Sequence, residues 1–129
     1  MLPDRAMKDR SSDDDVSECV AACFGCSLVC TKCSDSMLGM DVHSGNPDVM
    51  NRCIRLCRDC ADFCTLTARW ISRVSPYSNQ ICRLCADICE LCAACCEQYV
   101  PYHALCGVCA NECRRCAELC RQVAVSATA

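Results

Sequence analysis

Residues 82–96 read CRLCADICELCAACC, and the spacing of the cysteines in this stretch decides the fold. Sulfur recurs at Cys82, Cys85, Cys89, Cys92 and Cys96, in alternating steps of three and four residues. That alternation has a period near 3.5 residues, the inward seam of a packed helix, whereas a half-buried strand repeats every two. The same steps run outward through three further blocks: Cys19, Cys23, Cys26, Cys30 and Cys33; Cys53, Cys57, Cys60 and Cys64; and Cys106, Cys109, Cys113, Cys116 and Cys120. Within the four blocks only Cys95, adjacent to Cys96, breaks the register. The pattern predicts four amphipathic helices whose inward faces are made of sulfur.

Punctuation between the blocks agrees. Ser12 ahead of Asp13, Asp14 and Asp15 reads as an N-cap followed by acids suited to the positive end of a helix dipole. His43-Ser44-Gly45-Asn46-Pro47 reads as a turn with Asn46 as cap and Pro47 at the first helical position, and Ser75-Pro76 repeats the arrangement. Val100-Pro101 separates the third and fourth helices, because proline disfavours helix at the residue before it. Each helix is expected to have about 22–28 residues, about 33–42 Å long. Short connections make sequential helices antiparallel, so the expected fold is all-α: an up-down-up-down antiparallel four-helix bundle with a cysteine-lined core. Residues 12–125 form its single domain, between a flexible 1–11 segment and a frayed 126–129 tail.

Composition excludes other classes. Twenty of 129 residues are cysteine, above the roughly 8–10 % that already marks a special scaffold. The chain is 53 % hydrophobic with cysteine counted as apolar and about 37 % without it, too little for an ordinary aliphatic core. Four glycines and four prolines argue against a collagen, a linker or a knottin, and a net charge of −3 with mixed signs gives no footprint for nucleic acid or an anionic membrane. No run of about 18 continuous apolar residues predicts a membrane span. The first fifteen residues, MLPDRAMKDRSSDDD, lack the apolar stretch of a secretory signal, which points to the cytoplasm and to reduced thiols.

The seams continue differently at their two ends. Met37 and Met40 extend the first, Thr67, Ile71 and Val74 the second, Tyr99 and His103 the third, and Val123 the fourth. Antiparallel packing then gathers Met37, Met40, His43, Met50 and His103 at one end, and Val16, Ile71, Val74 and Val123 at the other. The bundle is expected to have a soft-ligand mouth for metal uptake and an aliphatic floor.

The chemistry of such a core is that of soft metal ions. Same-face helix neighbours have Cβ atoms about 5–6 Å apart, beyond the roughly 3.5–4.5 Å of a disulfide, so pairs within a helix cannot bridge. Disulfides between helices would leave many of the twenty unpaired. Abundant thiolate without seam imidazole or carboxylate favours Cu(I), zinc or iron–sulfur. Structural zinc prefers Cys₄ sets on turns, and one iron–sulfur cluster would use only a fraction of these thiols. Cu(I) accepts two or three sulfurs, and each thiolate can bridge two ions, giving about one ion per cysteine at saturation. No Glu-x-x-His pair of a di-iron bundle lies on a seam, and C-x-x-C here lacks the βαβ setting of a thiol oxidoreductase, so no enzyme is expected. The alternatives are an iron–sulfur electron carrier and a disulfide-stabilised structural bundle.

These cysteine-seamed helices, with methionine and histidine at one end, resemble the cytosolic bacterial copper storage proteins over about residues 15–125. The resemblance implies a bundle holding many Cu(I) ions on all four cysteine blocks, assembled as a homotetramer. Cys95 is its least secure core ligand, being off register. A second apolar stripe, Ile81, Leu84, Ile88 and Leu91, runs one residue ahead of the third seam, as a subunit interface or as flank packing. The arginines Arg52, Arg55, Arg58, Arg69, Arg73, Arg83, Arg114, Arg115 and Arg121 give no basic stripe and are expected on solvated faces, and Trp70 packs beside the second seam.

Overall fold

A computed structural model describes the backbone of residues 2–40 and 47–128 and the side chains of residues 13–40 and 47–125. It contains four helices, α1 (Leu2–Leu38), α2 (Pro47–Ser72), α3 (Ser78–Glu97) and α4 (Ala104–Thr128). Sulfur contacts fix their directions. Along α1, Cys19, Cys26, Cys30 and Cys33 meet Cys120, Cys113, Cys109 and Cys106 in turn, so α1 and α4 are antiparallel. Cys57, Cys60 and Cys64 likewise meet Cys96, Cys89 and Cys85, so α2 opposes α3. Each helix packs on its sequence neighbours and α4 closes back on α1, the up-down-up-down bundle the periodicity predicts.

Two features let the helices approach closely. Buried alanines recur seven residues apart beside the sulfur seams: Ala61 and Ala68 on α2, Ala86 and Ala93 on α3, Ala110, Ala117 and Ala124 on α4. A methyl at a flanking heptad position leaves room for a neighbouring backbone. Between α1 and α2, Ser27 Oγ donates to the Ala61 carbonyl at 2.9 Å and lies 2.7 Å from Thr65 Oγ1, while Thr67, fully buried, donates to the Phe63 carbonyl at 2.8 Å. These hydroxyls are satisfied inside the bundle by helix carbonyls, so their burial leaves no stranded donor.

Several boundaries differ from the sequence reading. α1 begins at Leu2, so Ser12 lies inside the helix rather than capping it; Pro3 sits in the first turn, where its missing N–H removes no helical bond. The acids 13–15 are therefore also interior. α1 is the longest helix at 37 residues and α3 the shortest at 20, outside the uniform length expected. α3 starts at Ser78 after Tyr77, without a side-chain cap, and Ser75 instead holds the preceding turn, accepting the Tyr77 N–H on its hydroxyl at 3.1 Å and the Ser78 N–H on its carbonyl at 3.0 Å. Asn46 and His43 lie outside the described residues. Residues 13–38 of α1 are long and apolar enough by composition to cross a membrane, although no continuous apolar run predicts it; five inward cysteines raise the average, and a third of the span's most apolar stretch is buried in the bundle.

Val74 is the other departure. It does not continue the second seam but stands 83 % exposed beyond the end of α2, with φ at 54°. Val74 N–H bonds the Ile71 carbonyl and Ser75 N–H bonds the Trp70 carbonyl, both at 3.1 Å. This is the paired hydrogen-bond pattern that closes helices with a left-handed residue, a place glycine normally takes. Arg73 stacks its guanidinium 5.7 Å from the Trp70 ring, and Trp70 packs tilted on Tyr77 at 6.2 Å, bracing the turn from outside.

Candidate metal centre

All twenty cysteines are free thiols and buried; nineteen have no measurable exposure and Cys95 has 7 %. Neighbouring sulfurs lie 3.4–4.0 Å apart, for example Cys57–Cys96 at 3.4 Å and Cys19–Cys23 at 4.0 Å. These are contacts between separate thiols, far longer than the about 2.05 Å of a disulfide bond.

The sulfurs form sets of four whose members lie within 4.8 Å of one another. One set is Cys23, Cys85, Cys116 and Cys120; a second, Cys26, Cys64, Cys89 and Cys116, shares Cys116 with it. A third, Cys26, Cys30, Cys60 and Cys113, shares Cys26 with the second. A fourth, Cys30, Cys92, Cys109 and Cys113, and a fifth, Cys33, Cys57, Cys96 and Cys109, continue the chain through Cys30, Cys113 and Cys109. The bundle axis is thus a corner-sharing column of sulfur, with no carboxylate or imidazole in these sets. Such sharing suits an ion that needs few sulfurs and tolerates bridging thiolates.

Charge decides the resting state. Twenty thiolates in a dry interior would carry a prohibitive desolvation cost. Hydrogen bonds between the sulfurs divide them: Cys113 and Cys96 are pushed above the ordinary thiol range chiefly by their bonds to Cys109 and Cys106. At the mouth end, Cys53 is pushed down to about 4 by bonds from Cys57 and then Cys96, and Cys106 down to about 4 by bonds from Cys33 and then Cys96. A univalent cation that replaces a proton on each sulfur leaves the interior neutral.

Four of the five residues expected at the mouth, all but His43, lie among the described residues. Met37 and Met50 are buried one turn beyond Cys33 and Cys53, and Met40 packs on the core just past the end of α1. His103, immediately before α4, lies close enough for its charge to act on Cys106, and its Nε2 is buried without a hydrogen-bond partner. At the opposite end Val16, Ile71, Val74 and Val123 line one cleft of about 600 Å³, together with Asp13, Asp15 and serines. Arginines pair on the outer faces, Arg114 with Glu97, Arg115 with Glu18 at 3.5 Å and Arg121 with Glu90 at 3.1 Å. The sequence reading missed Tyr99 as a mouth residue: it is buried beside Cys53, Cys95 and Cys106, and its phenol is pushed above its usual range mainly by burial.

The family model of copper storage proteins matches residues 12–125. The chain belongs to the copper storage protein family. Among solved structures of this family, the Cu(I)-bound copper storage protein BsCsp3 is 37 % identical, with 85 % of this chain and 98 % of that one aligned at a TM-score of 0.75. The cytosolic copper storage protein of Streptomyces lividans, solved with five coppers, is 31 % identical over 89 % of this chain and 96 % of its own, with a TM-score of 0.79. A curated relative, the uncharacterized cysteine-rich protein YhjQ of Bacillus subtilis, is 40 % identical over 67 residues, which are 52 % of this chain and 58 % of YhjQ. The match therefore spans little more than half of that relative's length.

Proposed function

We propose that this copper storage family member sequesters Cu(I) in its core, about one ion per cysteine when full, and releases it by ligand exchange. The observation that carries the reading is that, of twenty buried free thiols, fifteen join in one corner-sharing column of four-sulfur sets. Zinc would demand four sulfurs of its own per ion, and an iron–sulfur cluster would occupy one set and strand the rest as bare thiol. A column in which sulfurs belong to two sets at once matches bridged two- and three-coordinate Cu(I) instead. The cysteines of all four blocks, Cys95 included, are the ligands. The protein is a store rather than a catalyst, since every reactive group in its interior is spent on holding the cargo.

The mouth formed by Met37, Met40, Met50 and His103, to which the sequence adds His43, is the route of uptake: thioether and imidazole hold Cu(I) more weakly than thiolate, so an ion captured there moves inward downhill. The unpartnered buried Nε2 of His103 supports this reading. The likeness to a cytosolic Streptomyces protein supports a cytoplasmic location. Leu84 and Leu91, half exposed beside Ile88 on α3, support assembly of copies into the homotetramer; sedimentation as a monomer at micromolar concentration overturns it. The central test is anaerobic Cu(I) titration with thiol counting and zinc competition. Filling near twenty ions on close to twenty titratable thiols, colourless in the visible, is expected. Saturation at two to four ions, or visible absorption with acid-labile sulfide, overturns the proposal.

A further inference from the structure

The end of the sulfur column is covered. Met37 and Met50, on α1 and α2, have 1 % and 5 % exposure, and Tyr99, one turn past Cys96 of α3, has 3 %. An ion therefore reaches the thiols only when packed groups move, and the packing shows where they part. α1 packs most broadly on α2, and α3 on α4, so the bundle consists of two helical hairpins. Polar bonds knit each hairpin. Ser27 of α1 donates to the Ala61 carbonyl of α2 and lies against the Thr65 hydroxyl, while Glu97 and Glu90 of α3 pair with Arg114 and Arg121 of α4. Between the hairpins the inward contacts are sulfur on sulfur, such as Cys33–Cys106 at 3.7 Å and Cys57–Cys96 at 3.4 Å, and a thiol is a weak donor and a weak acceptor. The Glu18–Arg115 pair, 3.5 Å apart, also crosses, but both side chains are more than half exposed and the pair contributes little.

The chain crosses from one hairpin to the other once, through the turn between Ser72 and Ser78 at the aliphatic end. Val74 in this turn is strained, with φ at 54°, and residues of that kind gather at switch regions. At about 1.5 Å per residue, the 18 steps from Cys53 to Ile71 set the mouth about 27 Å from the turn. A rotation of about 10° at the turn parts the halves by about 5 Å at the mouth and far less at the floor. We infer that the molecule is a hinged clamp: the α1–α2 and α3–α4 hairpins part at the mouth about the Val74 turn to admit Cu(I), and bound Cu(I) draws them shut. The inference rests on the storage reading and gives the mouth its moving parts. Met37, Met40 and Met50 ride on one half and Tyr99 and His103 on the other, so parting uncovers the column. Each of the five four-sulfur sets takes sulfurs from both hairpins, so an ion shared within a set ties the halves together. Those sets are complete only in the shut form, and this differential affinity drives closing. Strain at Val74 narrows the gap between the shut and parted apo states.

Covalent tethers test it. Lys32 lies fourteen residues past Glu18 on α1, and Val108 seven residues before Arg115 on α4. Whole heptads thus place the two exposed residues on the edges where Glu18 meets Arg115, but near the mouth. Lys32 also lines a groove with Arg58 of α2, inside the first hairpin. In V108K a short amine-reactive crosslinker joins position 108 to Lys32 across the hairpins; in R58K it joins position 58 to Lys32 within one. Peptide mass spectrometry confirms each intrachain link, and circular dichroism the fold. Fed with glutathione-bound Cu(I), tethered V108K is expected to fill at least about tenfold more slowly than untethered V108K, because the link removes a parted state populated at roughly 0.1–10 %. The R58K tether leaves the rate unchanged, and a longer spacer in V108K restores it. Limiting iodoacetamide reads the same opening without copper: the V108K tether protects Cys33, Cys57 and Cys96 more than the R58K tether does. Equal uptake by the two tethered chains, or equal labelling, overturns the clamp and leaves storage standing; failure of the untethered wild-type chain to fill overturns storage instead.

Discussion

Cys113 offers the sharpest test that capacity is written in sulfur rather than in packing. Its sulfur lies 3.5 Å from Cys30, 3.6 Å from Cys26 and 3.9 Å from Cys60, and it is a corner of two four-sulfur sets. When each ion takes two sulfurs and each sulfur bridges two ions, ions equal sulfurs, so C113A lowers saturation from about twenty to about nineteen. Because Cys113 is a corner shared by both sets, the missing ion is one from the middle of the column. The apo fold loses only a small buried group, about 1–2 kcal/mol. Leu119, 8 % exposed on the same helix, is the control. L119A removes more packing, about 2–4 kcal/mol, yet no ligand, and its capacity stays at the wild-type value. Anaerobic titration to saturation, with metal analysis after desalting, gives capacity; urea unfolding of the apo forms gives stability. Equal ion loss in the two variants, or none in C113A, refutes a core whose capacity is counted by its sulfurs.

Other outcomes follow from the same structure. Cys95 is raised to about 12 by burial and then by Cys53, and Tyr99 is raised as well, so above pH 9 the folded apo chain holds protons the unfolded chain has lost. Its melting temperature therefore falls as pH rises from 9 to about 12, while the loaded form, already deprotonated, is flat over that window. The depressed Cys53 and Cys106 act in the opposite window, their contribution declining as pH falls from 9 to about 4. V74G relieves a left-handed β-branched residue that costs about 1–2 kcal/mol, offset by about 0.5–1 kcal/mol of added unfolded-chain entropy, so thermal melts should show a net gain of up to about 1.5 kcal/mol. Replacing both Met40 and His103 should slow loading from aquated or weakly complexed Cu(I) in stopped flow; an unchanged rate removes them from the uptake route. Loading raises the melting temperature, because Cu(I) binds the folded column far better than a dispersed chain, and a chelator reverses it.

The cysteine steps made the helices legible because a buried seam must recur at the helical period, and sulfur marks that seam without ambiguity against charged neighbours. Direction also followed, since the short connections that the sequence offers around Pro47 and Pro76 leave antiparallel packing as the simple solution. Helix ends were less legible. Ser12 has the look of a cap, but capping is a local preference, and the good helix formers before it let α1 run on to Leu2. Val74 has the spacing of a seam residue, yet the chain had to reverse between Ser72 and Ser78, and that reversal placed it in a left-handed turn facing water.

The one-dimensional pattern determined that there are four sulfur-faced helices and that the interior chemistry is that of thiols. Spacing along a helix carries this information, because burial along one face is periodic in sequence. Which sulfurs share a set was decided only by tertiary packing: heptad alanines set how near the helices come, and the stagger between them places Cys113 against Cys26, Cys30 and Cys60. Packing likewise covers Cys96 completely and leaves Cys95, one residue earlier, with 7 % exposure, because a helix turns about 100° per residue and a neighbouring helix covers only one of those directions.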